Sequence, residues 1–574
     1  MTSLKKGISI VLSGAAGQGI ATVEDFLVSI LKRSGFNVFS TREFMSRIRG
    51  GTNSTQIRVG EGNIYSYSEQ SDIVIPLNKR ALPHLNKYGR INDSTLVVGE
   101  AENITSDIHL PSNQILEVPF TGIAEEVGGR IYSNTVAVGL LAAVFDVDED
   151  IATEYLTERF ESKGEDIVKD NIQAYRQGHE IGVSKLVERI DAIDVISDES
   201  VRDHMLINGG EAVGLGAIAG GCNFISSYPM SPSTAVLVFL SNQSQEFGIV
   251  VDQAESEISA INKGLGAWYA GGRAMVTTSG GGFALMVEGL SLAGMMESPM
   301  VIHLAQRPGP ATGLPTRTEQ GDLLFALHAG HGEFPRIILA PGTFEDGFHL
   351  TQKAFNLADE YQVPVIVLTD QYLMDSHGNI PVLDLSDISV EKHIQKTTGD
   401  YTRYEMTNSG VSPRGIPGYG EGLVVADSDE HDEAGHITED LDLRIEMVDK
   451  RMKKKLELLR EAAIPPEYVG PEEYDALAIA WGTNYNVVVE ALERAERDDI
   501  GFLHFKQVYP LHESVSQYLN DADRVALLEN SSTAQFATVL LNETGYKITK
   551  ENCLLKYSGL PFSVEEVTRF LEEL

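Results

Sequence analysis

A glutamate at the start of a small-residue helix is the strongest chemical signal in this sequence. Glu257 lies in the stretch ESEISAINKGLGAWYAGG, where the residues that follow it are small or apolar at helical spacing. A carboxyl at the buried end of such a helix is sheltered from water, and a sheltered carboxyl can hold or share a proton. The nearby Glu255 has a simpler interpretation, because an acidic residue there complements the helix dipole. The same interpretation is open for Glu257, which we single out as a candidate catalytic residue.

A glycine run follows Glu257 at the end of the next predicted strand. The segment AMVTTSGGGF places Ser279, Gly280 and Gly281 directly after an apolar run. Because glycine has no side chain, the backbone at such a run can approach a ligand closely. The backbone of this run, from Ser279 to Gly282, is therefore suited to approach a ligand closely.

Two prolines stiffen the short run SSYPMSPSTA. Pro229 and Pro232 restrict the backbone on either side of Ser231, and Tyr228 precedes them. Such a run is either an ordinary turn or a rigid lip that presents a hydroxyl group to a ligand. A fixed hydroxyl can orient a carboxylate without an ordering cost at the moment of reaction. In the second interpretation, Ser231 is the residue that presents its hydroxyl to the ligand.

A second glycine-rich turn, GAAGQG, follows the first apolar run of the chain. It contains Gly14, Gly17, Gln18 and Gly19, and a helical pattern begins directly after it. A helix N-terminus behind such a turn offers unpaired N–H groups to a phosphate. Ala16 occupies the middle glycine position of the dinucleotide-binding pattern, and no clear acidic strand end follows. We therefore expect a phosphate-bearing ligand other than NAD.

The charge balance makes local arginines necessary if the ligands are anions. The 574 residues carry 45 Lys and Arg against 83 Asp and Glu, a net charge of −38. This charge argues against nucleic acids and anionic membranes as partners. Arg47 and Arg49 in the segment SRIRGG offer forked donors that suit phosphates and carboxylates. A solvated basic edge is the alternative interpretation of each.

Strand–helix repeats must position these residues. Apolar runs such as AMVTTSG, PMVIHLAQ and VPVIVLTD alternate with helical patterns, which is typical of parallel sheets covered on both faces. We predict an α/β protein with domains at residues 1–190, 195–375 and 471–574, joined by a connecting segment at 376–470. In that segment, DEHDEAGH predicts a loop held by salt bridges rather than a metal site, and MKKKLELLR predicts a solvated helical face.

Cysteine content and hydropathy bear on the cellular location. Cys222 and Cys553 are too few for a disulfide scaffold or for an iron–sulfur cluster. The apolar runs are too short to cross a membrane. The opening segment MTSLKKGISIVLSG predicts a buried first strand rather than a signal peptide. We expect a cytoplasmic protein with no membrane partner.

In their order along the chain, these motifs resemble one family. Glu257, its small-residue helix and TSGGG resemble the pyrimidine-binding domain of thiamine diphosphate enzymes. With GAAGQG, SRIRGG, YPMSPST, AQRPGPATGLPTRTEQGDLLFALHAGHGEFPR, GVSPRGIPG and DSDEHDEAGH, nearly the whole chain resembles the fused γ–α subunit of 2-oxoacid:ferredoxin oxidoreductases, most closely the 2-oxoglutarate type. The resemblance implies three α/β domains: a Rossmann-like γ domain, a thiamine-diphosphate pyrimidine-binding domain and a transketolase C-terminal-like domain.

The resemblance also implies a role for each matching residue. Glu257 matches the glutamate that hydrogen-bonds the aminopyrimidine ring nitrogen of the cofactor. Ser231 stands where the family usually has a threonine that faces the oxoacid, and Arg307 matches an arginine near the substrate carboxylate. Arg317 is expected to bind a carboxylate of a dicarboxylic substrate; a structural ion pair is the alternative for both arginines. The other expected contacts are Tyr228, Pro229, Ser279, Gly280 and Gly281 for the cofactor, and Gly14, Gly17, Gln18, Gly19, Arg47 and Arg49 for coenzyme A.

Two motifs that the chemistry needs are missing from the sequence. We find neither a Gly-Asp-Gly…Asn diphosphate–metal motif nor a cysteine cluster. The resemblance therefore implies a β subunit that brings Mg²⁺, the diphosphate-binding domain and a [4Fe-4S] cluster, with thiamine diphosphate shared between the subunits. It also implies coenzyme A as a substrate, ferredoxin as a partner and a dimer of αβ heterodimers.

The expected reaction is the oxidative decarboxylation of 2-oxoglutarate with coenzyme A to succinyl-CoA and CO₂. Electrons pass to ferredoxin, and the reaction is reversible in principle. Pyruvate, branched-chain and other 2-oxoacids are alternative substrates. A non-catalytic regulator that binds a nucleotide or acyl-CoA at GAAGQG is an alternative of another class, and it would need no β subunit.

Overall fold

The computed structural model describes residues 7–45, 51–62, 64–104, 108, 110–190, 195–495 and 497–574. Two compact units divide the chain. The first unit comprises Met1–Ile207, Ser376–Leu383 and Ser563–Val567; the second comprises Asn208–Asp375, Asp384–Phe562 and Thr568–Leu574. The domain boundaries inferred above from the sequence remain predictions.

Strands and helices alternate along most of the chain. The first elements are β1 (Gly7–Gly14), α1 (Ile20–Arg33), β2 (Asn37–Glu43), β3 (Asn53–Gly60), β4 (Ile73–Pro76), α2 (Ala81–Lys87), β5 (Leu96–Gly99), β6 (Ile115–Glu117), α3 (Phe120–Val127), α4 (Ser133–Ala142), α5 (Glu149–Phe160), α6 (Glu165–Ile181) and β7 (Met205–Asn208). The next are α7 (Gly209–Ala219), β8 (Phe224–Ser227), α8 (Thr234–Phe247), β9 (Val250–Gln253), α9 (Glu257–Tyr269), β10 (Ala274–Thr278), α10 (Gly280–Met295), β11 (Met300–Gln306), α11 (Leu323–His328), β12 (Ile337–Leu339), α12 (Phe344–Tyr361), β13 (Pro364–Asp370), α13 (Gln371–Asp375) and β14 (Ser376–Ile380). The last are α14 (Leu441–Val448), α15 (Lys455–Glu461), β15 (Glu467–Val469), β16 (Ala476–Trp481), α16 (Tyr485–Ala495), β17 (Ile500–Phe505), β18 (Gln507–Tyr509), α17 (Val515–Asp521), β19 (Arg524–Glu529), α18 (Gln535–Thr544), β20 (Cys553–Leu555) and α19 (Val564–Glu573). Within the described ranges, none of the helices is both long and apolar enough to cross a bilayer.

The first unit is built on an eight-stranded mixed sheet in the order β6-β5-β4-β1-β3-β2-β14-β7. β1 pairs in parallel with β4 and antiparallel with β3. All its residues after Gly7 are buried, and Phe26, Leu27 and Ile30 of α1 lie in the same core. The predicted buried first strand is confirmed.

The second unit contains two further sheets. One has the order β18-β12-β13-β11-β10-β8-β9, with parallel pairs except between β12 and β18. The other has the order β15-β17-β16-β19-β20. β11 and β13 are buried at every position, as expected for parallel strands covered on both faces. The predicted α/β fold class is confirmed.

The basic helix near the end of the connecting segment departs from its prediction. Lys455, in the run MKKKLELLR, is buried and lies 2.6 Å from Glu297, and Lys450 one turn earlier lies 2.5 Å from the other oxygen of the same carboxylate. The prediction of a solvated face is therefore wrong at Lys455. A buried carboxylate is tolerated only when cations and hydrogen bonds surround it, and these two lysines satisfy that need.

Salt bridges hold the acidic loop of the connecting segment. Glu430 accepts hydrogen bonds from Arg444 and from Arg451, the latter at 2.9 and 3.0 Å. The buried ring of His431 stacks on Tyr404 with 3.8 Å between centroids. The prediction of a salt-bridged loop is confirmed.

Candidate active site

Four neighbouring strands of the second unit end next to predicted site residues. Tyr228 follows β8, Ser279 follows β10, Arg307 follows β11, and Glu257 starts the helix after β9. These strands are adjacent in the order β11-β10-β8-β9 and run parallel. Because the carboxyl ends of parallel strands share one edge of a sheet, these residues gather at that edge. Ligands bind at this edge in open α/β sheets.

Glu257 is buried at the first position of α9. The helix is capped by Ser256, whose side chain accepts a hydrogen bond from the Ser259 N–H at 3.3 Å. The Glu257 side chain is almost fully buried, with the residue 3% exposed, and its Oε1 has no hydrogen-bond partner among the described residues. A buried oxygen without a partner is destabilising in the free protein, so this carboxyl is suited to receive a ligand.

The glycine run explains how Glu257 fits against the neighbouring helix. A methyl group at position 282 would lie 2.3 Å from Oε1 of Glu257 and 2.2 Å from Oγ1 of Thr278. Gly282 is therefore required by the close approach of the carboxyl to α10, since its backbone is ordinary helix. The close backbone approach predicted from the sequence included Gly282, and the cofactor contacts themselves were assigned to Ser279, Gly280 and Gly281.

Ser279 and Gly280 form the start of α10. The Ser279 hydroxyl is fully buried and has no hydrogen-bond partner among the described residues. A methyl group at position 280 would lie 2.4 Å from Oδ2 of Asp322. Gly281 is exposed, and the nearest atom to a methyl group there would be the Ala311 carbonyl oxygen at 3.6 Å. The run therefore brings two carboxyl groups and a free hydroxyl to one helix end.

Ser231 and Arg307 are in direct contact. The Arg307 guanidinium donates from Nη1 to the backbone carbonyl of Ser231 at 2.8 Å. Arg307 is half-buried; burial lowers its pKa, and the nearby Asp322 carboxylate opposes that shift. The contact uses the backbone carbonyl of Ser231, and the substrate roles of Ser231 and Arg307 remain predictions.

The proline run forms a tight turn before α8. The Ser233 hydroxyl donates to the Met230 carbonyl at 2.8 Å, and the Thr234 N–H donates to the same oxygen at 3.2 Å. Tyr228 is 41% exposed and Pro229 is half-buried. The run is thus a turn at the sheet edge that also contacts Arg307 through Ser231.

Arg317 lies in the loop between β11 and α11. Its neighbour Thr318 donates its N–H to the Gly559 carbonyl at 3.1 Å, and a methyl group on Gly559 would lie 3.0 Å from the Cβ of Arg317. The structure therefore places Arg317 beside the C-terminal part of the chain.

Sequence reasoning missed Asp322, which follows Arg317 in the same loop. Its N–H donates to Oε1 of Gln306, the last residue of β11, at 3.0 Å. Burial raises the pKa of the Asp322 carboxyl to about 6, with Arg307 opposing the shift. Its Oδ2 is buried without a hydrogen-bond partner among the described residues. The available signal was an acid close to an arginine in the segment TRTEQGD.

A buried histidine ties the strands together beneath the site. The two ring nitrogens of His303 lie 2.7 Å from Oγ1 of Thr277 and 2.8 Å from Oγ1 of Thr369. Burial lowers the pKa of His303 to about 3, so the ring is neutral. These bonds link β10, β11 and β13 and hold their carboxyl ends in place.

The glycine-rich turn of the first unit is closed on itself. Gly17 and Gly19 have φ values of 86° and 87°, which favour glycine. Gln18 accepts hydrogen bonds through Oε1 from the Ala15 N–H and the Asn78 side chain, both at 2.6 Å. The turn leads into α1, as predicted. Arg47 and Arg49, the two predicted phosphate partners, lie outside the described residues.

The chain resembles one kind of enzyme along most of its length. Residues 9–181 match the family described as pyruvate ferredoxin/flavodoxin oxidoreductase, and residues 215–450 match the family described as pyruvate flavodoxin/ferredoxin oxidoreductase, thiamine diP-bdg. The sequence is 30% identical to the 2-oxoacid:ferredoxin oxidoreductase subunit alpha of a Sulfolobus species, over 98% of this chain and 96% of that protein. It is 26% identical to the 2-oxoglutarate oxidoreductase subunit KorA of Mycobacterium tuberculosis, over 99% of this chain and 91% of that protein.

A solved structure is similar over the same extent. The 2-oxoglutarate:ferredoxin oxidoreductase from Magnetococcus marinus, solved with 2-oxoglutarate, coenzyme A and succinyl-CoA bound, aligns with a TM-score of 0.92 at 31% sequence identity. The alignment covers 99% of each chain. Both units of the chain therefore have counterparts in that structure.

Proposed function

The chain belongs to the 2-oxoacid:ferredoxin oxidoreductase family as an alpha subunit, and on this basis we propose that its substrate is 2-oxoglutarate. The proposed reaction converts 2-oxoglutarate and coenzyme A to succinyl-CoA and CO₂ and passes two electrons to ferredoxin; it is reversible in principle. The similarity to a 2-oxoglutarate enzyme over 99% of both chains supports this substrate.

The residues at the sheet edge fit thiamine diphosphate. The group needs a sheltered carboxyl and a backbone that it can approach closely; the unpartnered Oε1 of Glu257 and the run from Ser279 to Gly281 offer both. When bound, thiamine diphosphate supplies an acidic carbon for attack on the oxo group and an electron sink for decarboxylation. We assign Glu257 the task of holding a proton at Oε1, and we assign Tyr228 and Pro229 to the wall of the same site.

We assign the two carboxylates of a dicarboxylic substrate to arginines of the second unit. Arg307 is held by the Ser231 carbonyl and still carries guanidinium donors that suit the carboxylate next to the oxo group. The Ser231 hydroxyl is assigned to the same carboxylate. Arg317 is assigned to the distal carboxylate, which a monocarboxylic substrate would lack.

The glycine-rich turn of the first unit is assigned to coenzyme A. Gly14, Gly17, Gln18 and Gly19 lie at the N-terminus of α1, where free N–H groups favour phosphate. Arg47 and Arg49 are assigned to the same phosphates.

The remaining parts of the reaction require a second chain. We propose a β subunit that holds Mg²⁺ and the diphosphate of the cofactor and carries a [4Fe-4S] cluster that passes electrons to ferredoxin. The complex is proposed to be a cytoplasmic dimer of αβ heterodimers.

One observation carries the assignment of the cofactor site: the buried, unpartnered Oε1 of Glu257 lies against Gly282. In the complex co-expressed with its β subunit, Glu257→Gln is expected to lower thiamine-dependent turnover of 2-oxoglutarate by at least about a hundredfold, because the amide cannot hold the proton. Glu255→Gln is the matched control, since Glu255 is exposed and lies 3.7 Å from Lys263; its turnover should equal that of the wild type. Unchanged turnover in Glu257→Gln would overturn the site assignment.

The same assay decides the substrate. Turnover of 2-oxoglutarate is compared with that of pyruvate and a branched-chain 2-oxoacid at equal concentrations. Because the Sulfolobus relative is named for 2-oxoacids in general, a pyruvate rate above the 2-oxoglutarate rate would replace the proposed substrate within the same family.

A further inference from the structure

Asp322 is a carboxyl group at the sheet edge that the proposed reaction has not used. Its backbone is fixed by Gln306 at the end of β11, and its Oδ2 lies against Gly280 at the first position of α10. The side chain is mostly buried, and Oδ2 has no hydrogen-bond partner within the part of the chain that the structure describes. The protonation state of this carboxyl therefore depends on the groups around it.

Arg307 and Glu319 interact electrostatically with Asp322. Arg307 attracts it and favours the carboxylate form. Glu319, on the same loop, is half-buried; its pKa is raised by burial and then by the Asp322 charge. The first turn of α10 contributes no acidic or basic side chain, only the positive end of its dipole. Asp322 is therefore poised between burial, which favours the acid, and Arg307 with the helix end, which favours the anion.

Both attractive groups are ones that a substrate carboxylate would use. Arg307 has a guanidinium, and the start of α10 has free N–H groups. Before the substrate arrives, ionised Asp322 supplies the negative charge beside them. A second carboxylate at the same place would be repelled by the first, and two carboxylates that share one site hold a proton between them.

We propose that Asp322 is a positioning residue of the oxoacid site, which shares Arg307 with the substrate carboxylate and takes up a proton from solvent when that anion binds. The inference rests on the proposed function, because it assigns Arg307 to an oxoacid. No covalent step is involved: the proton enters with the anion and leaves when the anion leaves.

The sign of the pH dependence follows from the raised pKa. Below about pH 6, Asp322 is protonated in the free site, and anion binding needs no proton uptake. Above that pH the carboxylate is ionised and must be protonated first, so affinity for the anion falls as pH rises. Replacing Asp322 by Asn removes the competing charge and nearly preserves the volume, so the variant should bind the anion more tightly at high pH.

The test measures proton uptake directly. The αβ complex is titrated with 2-hydroxyglutarate, which has both carboxylates and lacks the reactive oxo group, by isothermal titration calorimetry in two buffers of different ionisation enthalpy. At pH 7 the wild type is expected to take up a large fraction of one proton per site, and Asp322→Asn none. At pH 8 Asp322→Asn should bind about ten- to a hundredfold more tightly than the wild type. Glu319→Gln is the control and should retain the proton uptake of the wild type.

Turnover supplies an independent readout. The KM for 2-oxoglutarate should rise with pH in the wild type and stay level in Asp322→Asn, whereas kcat changes little in comparison. Equal proton uptake in the wild type and Asp322→Asn, with normal wild-type turnover, overturns this inference and leaves the proposed function standing. A wild-type complex that does not oxidise 2-oxoglutarate overturns the proposed function instead.

Discussion

The two glycine-rich turns of the chain look alike in sequence, but the structural reason for their glycines differs. Each follows a buried strand and leads into a helix: GAAGQG runs from the end of β1 to α1, and SGGG runs from the end of β10 into the first turn of α10. In the first, Gly17 and Gly19 adopt positive φ angles. In the second, none of the glycines has a positive φ angle, and carboxyl groups pack against Gly280 and Gly282.

Their polar atoms differ in the same way. In the first turn, the side chain of Gln18 satisfies the Ala15 N–H and is held by Asn78. In the second, the Glu257 and Asp322 carboxyls and the Ser279 hydroxyl each include a buried atom without a partner among the described residues. A turn whose glycines serve its own backbone can close on itself. In the second turn, the glycines instead make room for carboxyl groups that have unpartnered oxygens, and such oxygens are available to a ligand. This difference favours the second turn as the site of chemistry.

The largest effect is expected at Gly282. Alanine normally stabilises a helix position occupied by glycine, yet in Gly282→Ala the new methyl group would meet Oε1 of Glu257 at 2.3 Å. Because displacing a catalytic group by about 1 Å can cost about a hundredfold in rate, thiamine-dependent turnover by the αβ complex should fall by at least about that factor. Gly266→Ala in α9 is the control, since nothing lies within 4 Å of the added methyl group, and it should retain full turnover. A fully active Gly282→Ala complex would show that Gly282 does not make room for the Glu257 carboxyl, and the contrast between the two turns would be wrong.

A smaller effect, on stability, is expected in the first turn. In Gly19→Ala, the methyl group combines a positive φ with a contact of 2.1 Å to the Asn134 side chain, and local stability should fall by about 2 kcal/mol. Gly17→Ala has the same φ problem with nothing within 4 Å, so about 1 kcal/mol is expected. Hydrogen exchange of peptides spanning residues 7–33, measured by mass spectrometry in the αβ complex, reports this local opening. Equal protection in the two variants would show that the Asn134 contact does not matter.

The strand ends of the site were predictable from the sequence because each site residue directly follows an apolar run. Tyr228, Ser279 and Arg307 are one residue beyond β8, β10 and β11, and parallel strands bring their carboxyl ends together without further information. Glu257 was predictable for a related reason, since the small residues of its helix indicate close packing.

Asp322 and Arg317 were harder because a long loop sets their positions. The loop is anchored by Gln320, which donates to the Trp481 carbonyl at 3.0 Å and accepts from the Asn484 side chain at 2.9 Å and the Asn530 N–H at 3.0 Å. Those partners are more than 150 residues away in sequence, and no local pattern predicts such contacts. The buried Lys455 was missed for the same reason, since its partner Glu297 is 158 residues away.

The smallest effect is expected at Gly280, where the neighbour is the flexible end of a side chain. In Gly280→Ala, the methyl group would lie 2.4 Å from Oδ2 of Asp322, but this carboxyl can rotate away since that oxygen has no hydrogen bond to lose. We expect the KM for the oxoacid to rise about fivefold, with a smaller change in kcat, because the displaced carboxyl moves relative to Arg307. The double variant Gly280→Ala with Asp322→Ala removes the colliding group, so its KM should equal that of Asp322→Ala alone. An additive effect of the two substitutions would instead mean that Gly280 serves the backbone itself, as Gly17 does in the first turn.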